Sequence, residues 1–142
     1  MKTIELVRIP IQLSQWTTYL GDVDAGAQLW FSGVTRRKTI EESGREVFTR
    51  TLYYDAYLSM AVRQLNLLVE GAFEQFALRD LVLVHRLGEV PLGDISVLVG
   101  CSSAHRVDVF EAIPWIMDRL KSEVPIWKRE TFEDASTHWV HP

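Results

Sequence analysis

Two short apolar runs constrain the fold of this 142-residue chain more than any other feature. They occupy residues 81–87 (LVLVHRL) and 95–101 (ISVLVGC), and the segment between them, GEVPLGD, holds two glycines and a proline. Apolar runs of this length that end at turn residues are typical of buried strands. The second run is almost wholly apolar, which predicts a central strand covered on both faces. The sequence therefore predicts two neighbouring strands inside a sheet.

Further strands are predicted in the first half of the chain. Residues 2–11 alternate loosely between apolar and polar side chains, which favours an edge strand, and residues 25–33 show the period of two of a half-buried strand. Residues 47–57 are rich in β-branched and aromatic side chains and also read as a strand. We expect this last strand to pair with residues 25–33. The polar segment 35–46, TRRKTIEESGRE, predicts a mobile loop between them.

Apolar residues at spacings of three and four predict two helices. The first covers residues 59–76, with Ser59 as its N-cap. The second follows the potential caps Ser102 and Ser103 and ends at Val124-Pro125, because the residue before proline disfavours the helical conformation. Pro114 removes one hydrogen bond of the helical ladder, so we expect a kink there or a helix in two pieces.

The first turn of the second helix carries an electrostatic conflict. His105 and Arg106 stand at a helix N-terminus, where the peptide dipoles already produce partial positive charge. A bound anion would remove this conflict, because free N–H groups and a guanidinium both bind phosphate-like groups well. The residues themselves therefore favour an anion site over a metal site at this position.

Composition excludes several classes of function. The formal net charge of −4 argues against a protein that coats nucleic acid with a broad basic surface. The single cysteine excludes an intramolecular disulfide, and no zinc-ligand spacing is present. We find neither a signal peptide nor an apolar stretch long enough to span a membrane, so we expect a cytoplasmic protein. The chain has the size of one globular domain, residues 1–142.

Single residues with possible chemistry have ordinary structural interpretations as well. Cys101 could be a thiol nucleophile, but a lone cysteine at the end of a buried strand is more often part of the core. His85 and Arg86 lack any ligand-binding context and favour a structural role. Considered alone, Lys121 in a last helical turn and Lys128 in the following extended segment are typical solvated lysines.

Four segments together resemble a known family. In order along the chain they are GAQLWFSGVTR, YYDAYLSMA, VHRLGEVPLGD and SSAHRVDVFEAIPWIMDRLKSEVPIWKRE. Their order and spacing resemble the MoaE family, the large catalytic subunits of molybdopterin synthase. The AHR and LK…PIWKRE signatures are more specific in combination than either is alone.

This resemblance implies a fold and an activity. The fold would be α+β, of the α/β-hammerhead type with an additional antiparallel β-sheet, assembled as a homodimer. Each end of the dimer would bind a small ubiquitin-like sulfur carrier, a MoaD-like subunit with a thiocarboxylated Gly-Gly tail, giving a heterotetramer. The enzyme would be a sulfurtransferase that converts cyclic pyranopterin monophosphate (precursor Z) into the dithiolene molybdopterin, in molybdenum cofactor biosynthesis. The resemblance implies no metal or organic cofactor, and neither nucleic acid nor a membrane as partner.

The resemblance also assigns roles to five residues. Arg36, His105 and Arg106 match the family positions that bind the phosphate and pterin of the substrate. Lys121 matches the principal catalytic lysine, which would handle protons or transiently the acyl group. Lys128 would assist it near the incoming tail of the carrier.

The sequence departs from the family pattern in three places. Tyr53 stands where many members have a glutamate, and Pro114 is unusual within its helix. The sequence also ends soon after Trp139, where family members often continue with basic residues that reach the neighbouring subunit's site. His141 is a weak candidate to replace that contribution.

Two other functions and one geometric problem stay open at this stage. A non-catalytic dimeric scaffold could keep the carrier-binding groove, and an unrelated phosphate-ester or acyl-transfer enzyme could use Cys101. On a straight helix His105 and Lys121 would lie about 24 Å apart along the axis. A kink at Pro114, a long substrate with the carrier tail, or a pocket shared by a dimer would have to close that gap.

Overall fold

The computed structural model describes residues 1–140, which form two β-sheets and two α-helices. Two short 3-10 segments, Leu13–Gln15 and Thr17–Leu20, follow the first strand. The α+β class is confirmed. The regular elements are β1 (Lys2–Val7), β2 (Ala27–Val34), β3 (Lys38–Ile40), β4 (Glu46–Ala56), α1 (Leu58–Gln75), β5 (Leu78–Arg86), β6 (Gly88–Pro91), β7 (Ile95–Ser103), α2 (Arg106–Glu123), β8 (Ile126–Phe132) and β9 (Thr137–Val140).

The first sheet has the strand order β1-β5-β7-β2. The two apolar runs form its centre as neighbouring antiparallel strands, with Leu81 opposite Cys101. β1 pairs with β5 in parallel, and β2 pairs with β7 in antiparallel orientation. β1 and β2 each have only one neighbour in this order, so they form the two edges of the sheet. The predicted pair of central strands and the predicted edge strand are both confirmed.

Both faces of this first sheet are covered. On one face α1 and α2 bury a large apolar cluster that includes Leu65, Leu83 and Ile116. On the other face the 3-10 segments bury Leu20 against Val82. Eight of the nine residues of β7 are buried, the serines at 96, 102 and 103 included, because side chains on both of its faces are removed from water.

The second sheet is organised around the long strand β4. β8 pairs along one side of β4, while β3 and β6 share the other side. The expected pairing of β4 with the strand at residues 25–33 is wrong, because β2 pairs with β7 instead. The segment 35–46 is not simply a loop: it contains β3 and turns back onto β4 at Gly44, whose φ of 85° suits a residue without Cβ.

The helix boundaries correct three further predictions. Ser102 and Ser103 belong to β7, and the N-cap of α2 is His105, which makes no capping hydrogen bond with its side chain. The N-cap of α1 is Tyr57 and not Ser59. α2 continues through Pro114 without interruption, so it is not a helix in two pieces. It ends at Val124 before Pro125, as predicted.

Candidate active site

A cavity of about 580 Å³ lies where β2, β4 and β7 meet α2, β8 and β9. Three structural layers contribute to its wall: the first sheet, the second sheet and the C-terminal half of α2. Its volume is within the usual range for a small-molecule site. The lining residues are Phe31, Gly33, Val34, Arg36, Thr39, Leu52, Tyr54, His85, Ser96, Val97, Met117, Leu120, Lys121, Ile126, Lys128, Glu130 and Val140.

Arg36 is distinguished from the two cations that follow it in sequence. The guanidinium of Arg37 lies 3.6 Å from a carboxylate oxygen of Glu133. The ammonium of Lys38 lies 2.7 Å from a carboxylate oxygen of Glu46. Arg36 makes no salt bridge within the described part of the chain, and it lines the cavity. A guanidinium without a carboxylate partner is available to bind an anionic ligand.

Lys121 enters the cavity from the last turn of α2. Met117 and Leu120, four and one residues before it, line the same cavity, so one face of the helix supplies all three side chains. Leu120 is also buried in the core, which fixes the position of this turn. Lys121 is exposed and, across residues 1–140, has no carboxylate at salt-bridge distance.

Lys128 reaches the cavity from β8. Side chains alternate along a strand, so Ile126, Lys128 and Glu130 share one face, and all three line the cavity. Glu130 accepts a hydrogen bond from the hydroxyl of Thr49, which holds one of its carboxylate oxygens. Lys128 is half-buried and, like Lys121, has no salt bridge among the described residues.

The structure does not bring His105 and Arg106 to this cavity within one chain. Both are exposed at the N-terminal end of α2, and neither lines the cavity wall. Because α2 is continuous, the axial separation of about 24 Å between His105 and Lys121 remains. The structure thus groups three of the five predicted residues and leaves two at the opposite end of the same helix.

The inner wall of the cavity carries polar groups that the sequence did not single out as ligands. Burial raises the pKa of Tyr54, and the neighbouring Ser96 side chain acts in the opposite direction. Ser96 in turn donates to the Gly33 carbonyl at 3.2 Å. His85 packs edge-on against Tyr54, with ring centroids 4.9 Å apart. His85 was predicted to be structural; it is buried, but it also lines the cavity.

Cys101 has the structural role that was favoured over the nucleophile. Its side chain is fully buried in the core of the first sheet and is not part of the cavity wall. Burial raises the pKa of its thiol to about 12, so the reactive thiolate is scarce at neutral pH. This geometry argues against an enzyme that uses Cys101.

The described residues contain no group of three or more histidine, cysteine or acidic side chains that could hold a metal ion. None of the helices in that region is long and apolar enough to cross a membrane. His141, the weak candidate for completing the site, lies outside the described residues. The cavity contains three cations, Arg36, Lys121 and Lys128, that form no salt bridge with any of residues 1–140, and its interior also contains apolar side chains. This combination suits a ligand with an anionic group and a flat or apolar body.

Comparisons with known proteins agree with this geometry. The family model described as MoaE protein matches residues 6–123. A molybdopterin synthase catalytic subunit from Staphylococcus carnosus is 36% identical over 140 residues, which cover 99% of this chain and 89% of the relative. One from Oryza sativa subsp. indica is 39% identical over 125 residues, covering 88% of this chain. The chain spans only 62% of that rice relative and 37% of a relative from Drosophila willistoni.

Solved structures give the same result. The crystal structure of molybdopterin synthase from Staphylococcus aureus matches with a TM-score of 0.86 and 34% identity, over 99% of this chain and 98% of the other. The molybdopterin biosynthesis MoaE protein from Burkholderia ambifaria matches with a TM-score of 0.79 and 29% identity, and the match covers 99% of this chain and 89% of the other. The family model alone covers most of the chain, and the sequence motifs, the two-sheet fold and these relatives agree with it. The chain therefore belongs to the MoaE family.

Proposed function

We propose that this protein is the catalytic subunit of a molybdopterin synthase, acting in the cytoplasm as a single domain of residues 1–142. It would transfer sulfur from the thiocarboxylated tail of a small MoaD-like carrier to cyclic pyranopterin monophosphate. The observation that carries the proposal is the convergence of Arg36, Lys121 and Lys128 on one cavity from the β2–β3 connection, α2 and β8, respectively. The names of the relatives supply the chemistry to be tested.

The charges of the cavity fit both reactants. The phosphate of the pterin and the thiocarboxylate of the carrier are anions, and each needs a cationic partner where water is partly excluded. Arg36 is suited to the phosphate because its planar guanidinium can donate two parallel hydrogen bonds. Lys121 and Lys128 present single ammonium groups on neighbouring elements, which suits a thiocarboxylate at the end of an extended tail.

The transfer must balance in atoms. The thiocarboxylate sulfur forms a bond to a side-chain carbon of the pterin while a C–O bond at that carbon breaks, and the oxygen leaves as water or remains on the phosphate as the cyclic ester opens. The product of this step is a thioester between the carrier and the pterin. Water then attacks the thioester carbonyl, so that the carrier leaves with a carboxylate and the pterin keeps the sulfur as a thiolate. Two such transfers give a dithiolene. Lys121 is placed as the group that exchanges protons during these steps, with Lys128 stabilising the negative charge on the acyl oxygen.

His105 and Arg106 fit this scheme if a second copy of the chain supplies them. The continuous helix keeps them away from their own Lys121. Beside them Val107 and Phe110 are 58% and 57% exposed, and a second copy of the chain could cover both side chains. We therefore propose a homodimer in which α2 of one copy brings its N-terminal end to the cavity of the other.

Reconstitution tests the activity. The protein is mixed with a thiocarboxylated MoaD-like carrier and cyclic pyranopterin monophosphate, and the pterin product is followed by mass spectrometry. We expect the addition of two sulfur atoms per pterin. If a known synthase forms product under the same conditions while this protein only binds the carrier, the function is that of a scaffold and our proposal fails.

Matched substitutions test the roles of the cations. Arg36→Ala and Lys121→Ala should each lower product formation by about 100-fold or more, since positioned charge and proton transfer contribute this much in enzymes. Arg37→Ala is the control, because its side chain is paired with Glu133 on the outer surface. Equal losses in Arg36→Ala and Arg37→Ala would show that general charge, and not the cavity, determines activity.

Mixing two inactive variants tests the shared site. Lys121→Ala is combined with a double variant, His105→Ala and Arg106→Ala, under conditions in which subunits exchange. If the site is shared across a two-fold axis, one site of each mixed dimer is intact, and about a quarter of the wild-type activity should return. If each chain formed its own site, no mixture would regain activity.

A further inference from the structure

His85 is an ionisable residue on the cavity wall that the proposed reaction leaves without a role. It lies near the end of β5, is only 5% exposed, and is adjacent to Tyr54, Ser96 and Val97 on the inner wall. A buried histidine that borders a cavity is either satisfied entirely by the protein or has one nitrogen left for a ligand. The hydrogen bonds of the neighbouring groups distinguish these two cases.

The tautomer of His85 is determined by its backbone contact. Nδ1 lies 2.9 Å from the carbonyl oxygen of Arg86, and a carbonyl can only accept, so Nδ1 carries the proton. Burial lowers the pKa of the imidazole to about 4, which keeps the ring neutral at physiological pH. Nε2 is therefore unprotonated and can only accept a hydrogen bond.

The polar neighbours of His85 do not use this acceptor. The Ser96 hydroxyl donates to the Gly33 carbonyl at 3.2 Å, and no hydrogen bond joins Tyr54 or Ser96 to His85 within residues 1–140. Tyr54 meets the imidazole edge-on as a ring contact. Among the described residues, the hydrogen bond of His85 to the Arg86 carbonyl is the only one that its side chain makes. Nε2 is not among the fully buried side-chain atoms that lack a partner, so it is open to the cavity and can accept a hydrogen bond from a molecule bound there.

A neutral acceptor differs from everything else the cavity offers an incoming molecule. Arg36, Lys121 and Lys128 are donors with positive charge, and they suit phosphate and thiocarboxylate oxygens. Neither of those anionic groups can donate to Nε2. The pterin ring can, because it carries N–H groups, and a neutral imidazole binds such a donor without competing for the cations as a carboxylate would.

We propose that His85 is a substrate-binding residue whose Nε2 accepts a hydrogen bond from a ring N–H of the pterin, which orients the ring while the cations hold the phosphate. The inference rests on the proposed function, since it takes the pterin as the ligand of this cavity. His85 would then select for the pterin body of the substrate, whereas the cations select for charge. A phosphate ester without a ring N–H donor would bind more weakly for this reason.

Two substitutions separate the acceptor from the shape of the ring. His85→Phe keeps a planar ring but removes both nitrogens, and His85→Gln places an amide oxygen near the former Nε2. Both lose the contact of Nδ1 with Arg86, so a better KM for the pterin in His85→Gln, in spite of its lost ring, would report on the restored acceptor. We expect the KM for the pterin to rise about 10- to 100-fold in His85→Phe, with partial recovery in His85→Gln and an unchanged KM for the carrier.

Direct observation of the nitrogen keeps the inference testable if these variants do not fold. With ¹⁵N-labelled histidine in the wild-type protein, the Nε2 resonance of His85 should shift when cyclic pyranopterin monophosphate is added without carrier. A carrier with an ordinary carboxylate tail should leave it unchanged. A shift caused by the carrier alone, or no shift with a bound pterin, would overturn the inference. Because the wild-type protein must first form dithiolene in the reconstitution, failure of the proposed function is recognised separately.

Discussion

Acidification should destabilise this protein through His85. In the folded state burial lowers the pKa of the imidazole to about 4, whereas an exposed histidine in the unfolded chain titrates near 6.5. Between these two values the unfolded state binds more protons than the folded state, so the free energy of unfolding falls as the pH falls. The contribution of His85 is fully present above pH 6.5 and is lost progressively towards pH 4.

The size of this effect follows from the two pKa values. One pKa unit corresponds to about 1.4 kcal/mol, and integrating the titration of both states from pH 7 to 4.5 gives a loss of about 2 kcal/mol of stability through this single group. Solvent screens the imidazole only weakly, because His85 is only 5% exposed, so the full pKa difference contributes to the free energy of unfolding. A loss of this size is a large share of the stability of a typical domain.

Urea unfolding at fixed protein concentration, followed by tryptophan fluorescence at both pH values, measures the loss. His85→Gln is the comparison, because it cannot titrate while all carboxylates remain in place. Asp22, whose pKa is lowered chiefly by its contacts with Asp24 and Arg79, loses its contribution at lower pH in both proteins alike. An equal decrease in the two proteins between pH 7 and 4.5 would refute the assignment of the effect to a buried, neutral His85.

Three further predictions concern the core and the second sheet. Gly100→Ala should cost about 1–3 kcal/mol in urea unfolding, because the new Cβ would lie 2.3 Å from ring atoms of Trp30. Cys101 should react with Ellman's reagent only after unfolding, and exposure of the folded protein to an alkylating agent should leave sulfur transfer intact. Arg129→Leu should lower stability by about 0.5–1 kcal/mol, because the guanidinium lies over the Trp139 ring at 5.5 Å and helps to hold β9 on β8.

The elements that sequence reasoning located are those with a strong local signal. The apolar runs became β5 and β7, and the helical periodicities became α1 and α2. In contrast, β3 and β6 consist of three and four residues with ordinary polar or turn-like composition. Their conformation is stabilised by pairing with β4, which lies elsewhere in the sequence, and no local pattern encodes such a partner.

The pairing of β4 failed for a related reason. Adjacent strands in sequence usually pair, and that general tendency suggested the hairpin with residues 25–33. Here β2 instead forms the edge of the first sheet against β7, while the chain enters the second sheet at β3. The hairpin therefore does form at β4, but its other strand is β3.

The sequence motifs predicted the cations of the candidate site but not its inner wall. The family resemblance selected Arg36, Lys121 and Lys128, and the fold places all three on one cavity although 85 residues separate Arg36 from Lys121 in the chain. The motifs did not reveal the inner wall. Tyr54, Ser96 and His85 lie in strands whose side chains read as core, and only the meeting of two sheets leaves a space beside them.

The position of α2 determines which of the predicted site residues reach the cavity of their own chain. α2 presents Lys121 at its C-terminal end, where the peptide dipoles favour a cation, and His105 and Arg106 at its N-terminal end, where they favour an anion. A single chain can direct only one of these ends into its own cavity. α2 continues through Pro114 as one helix, so it does not divide into two pieces that could fold the second end back onto the first. In the proposed dimer the cations of the first turn would face the cavity of the second copy, where a bound anion would offset the electrostatic conflict.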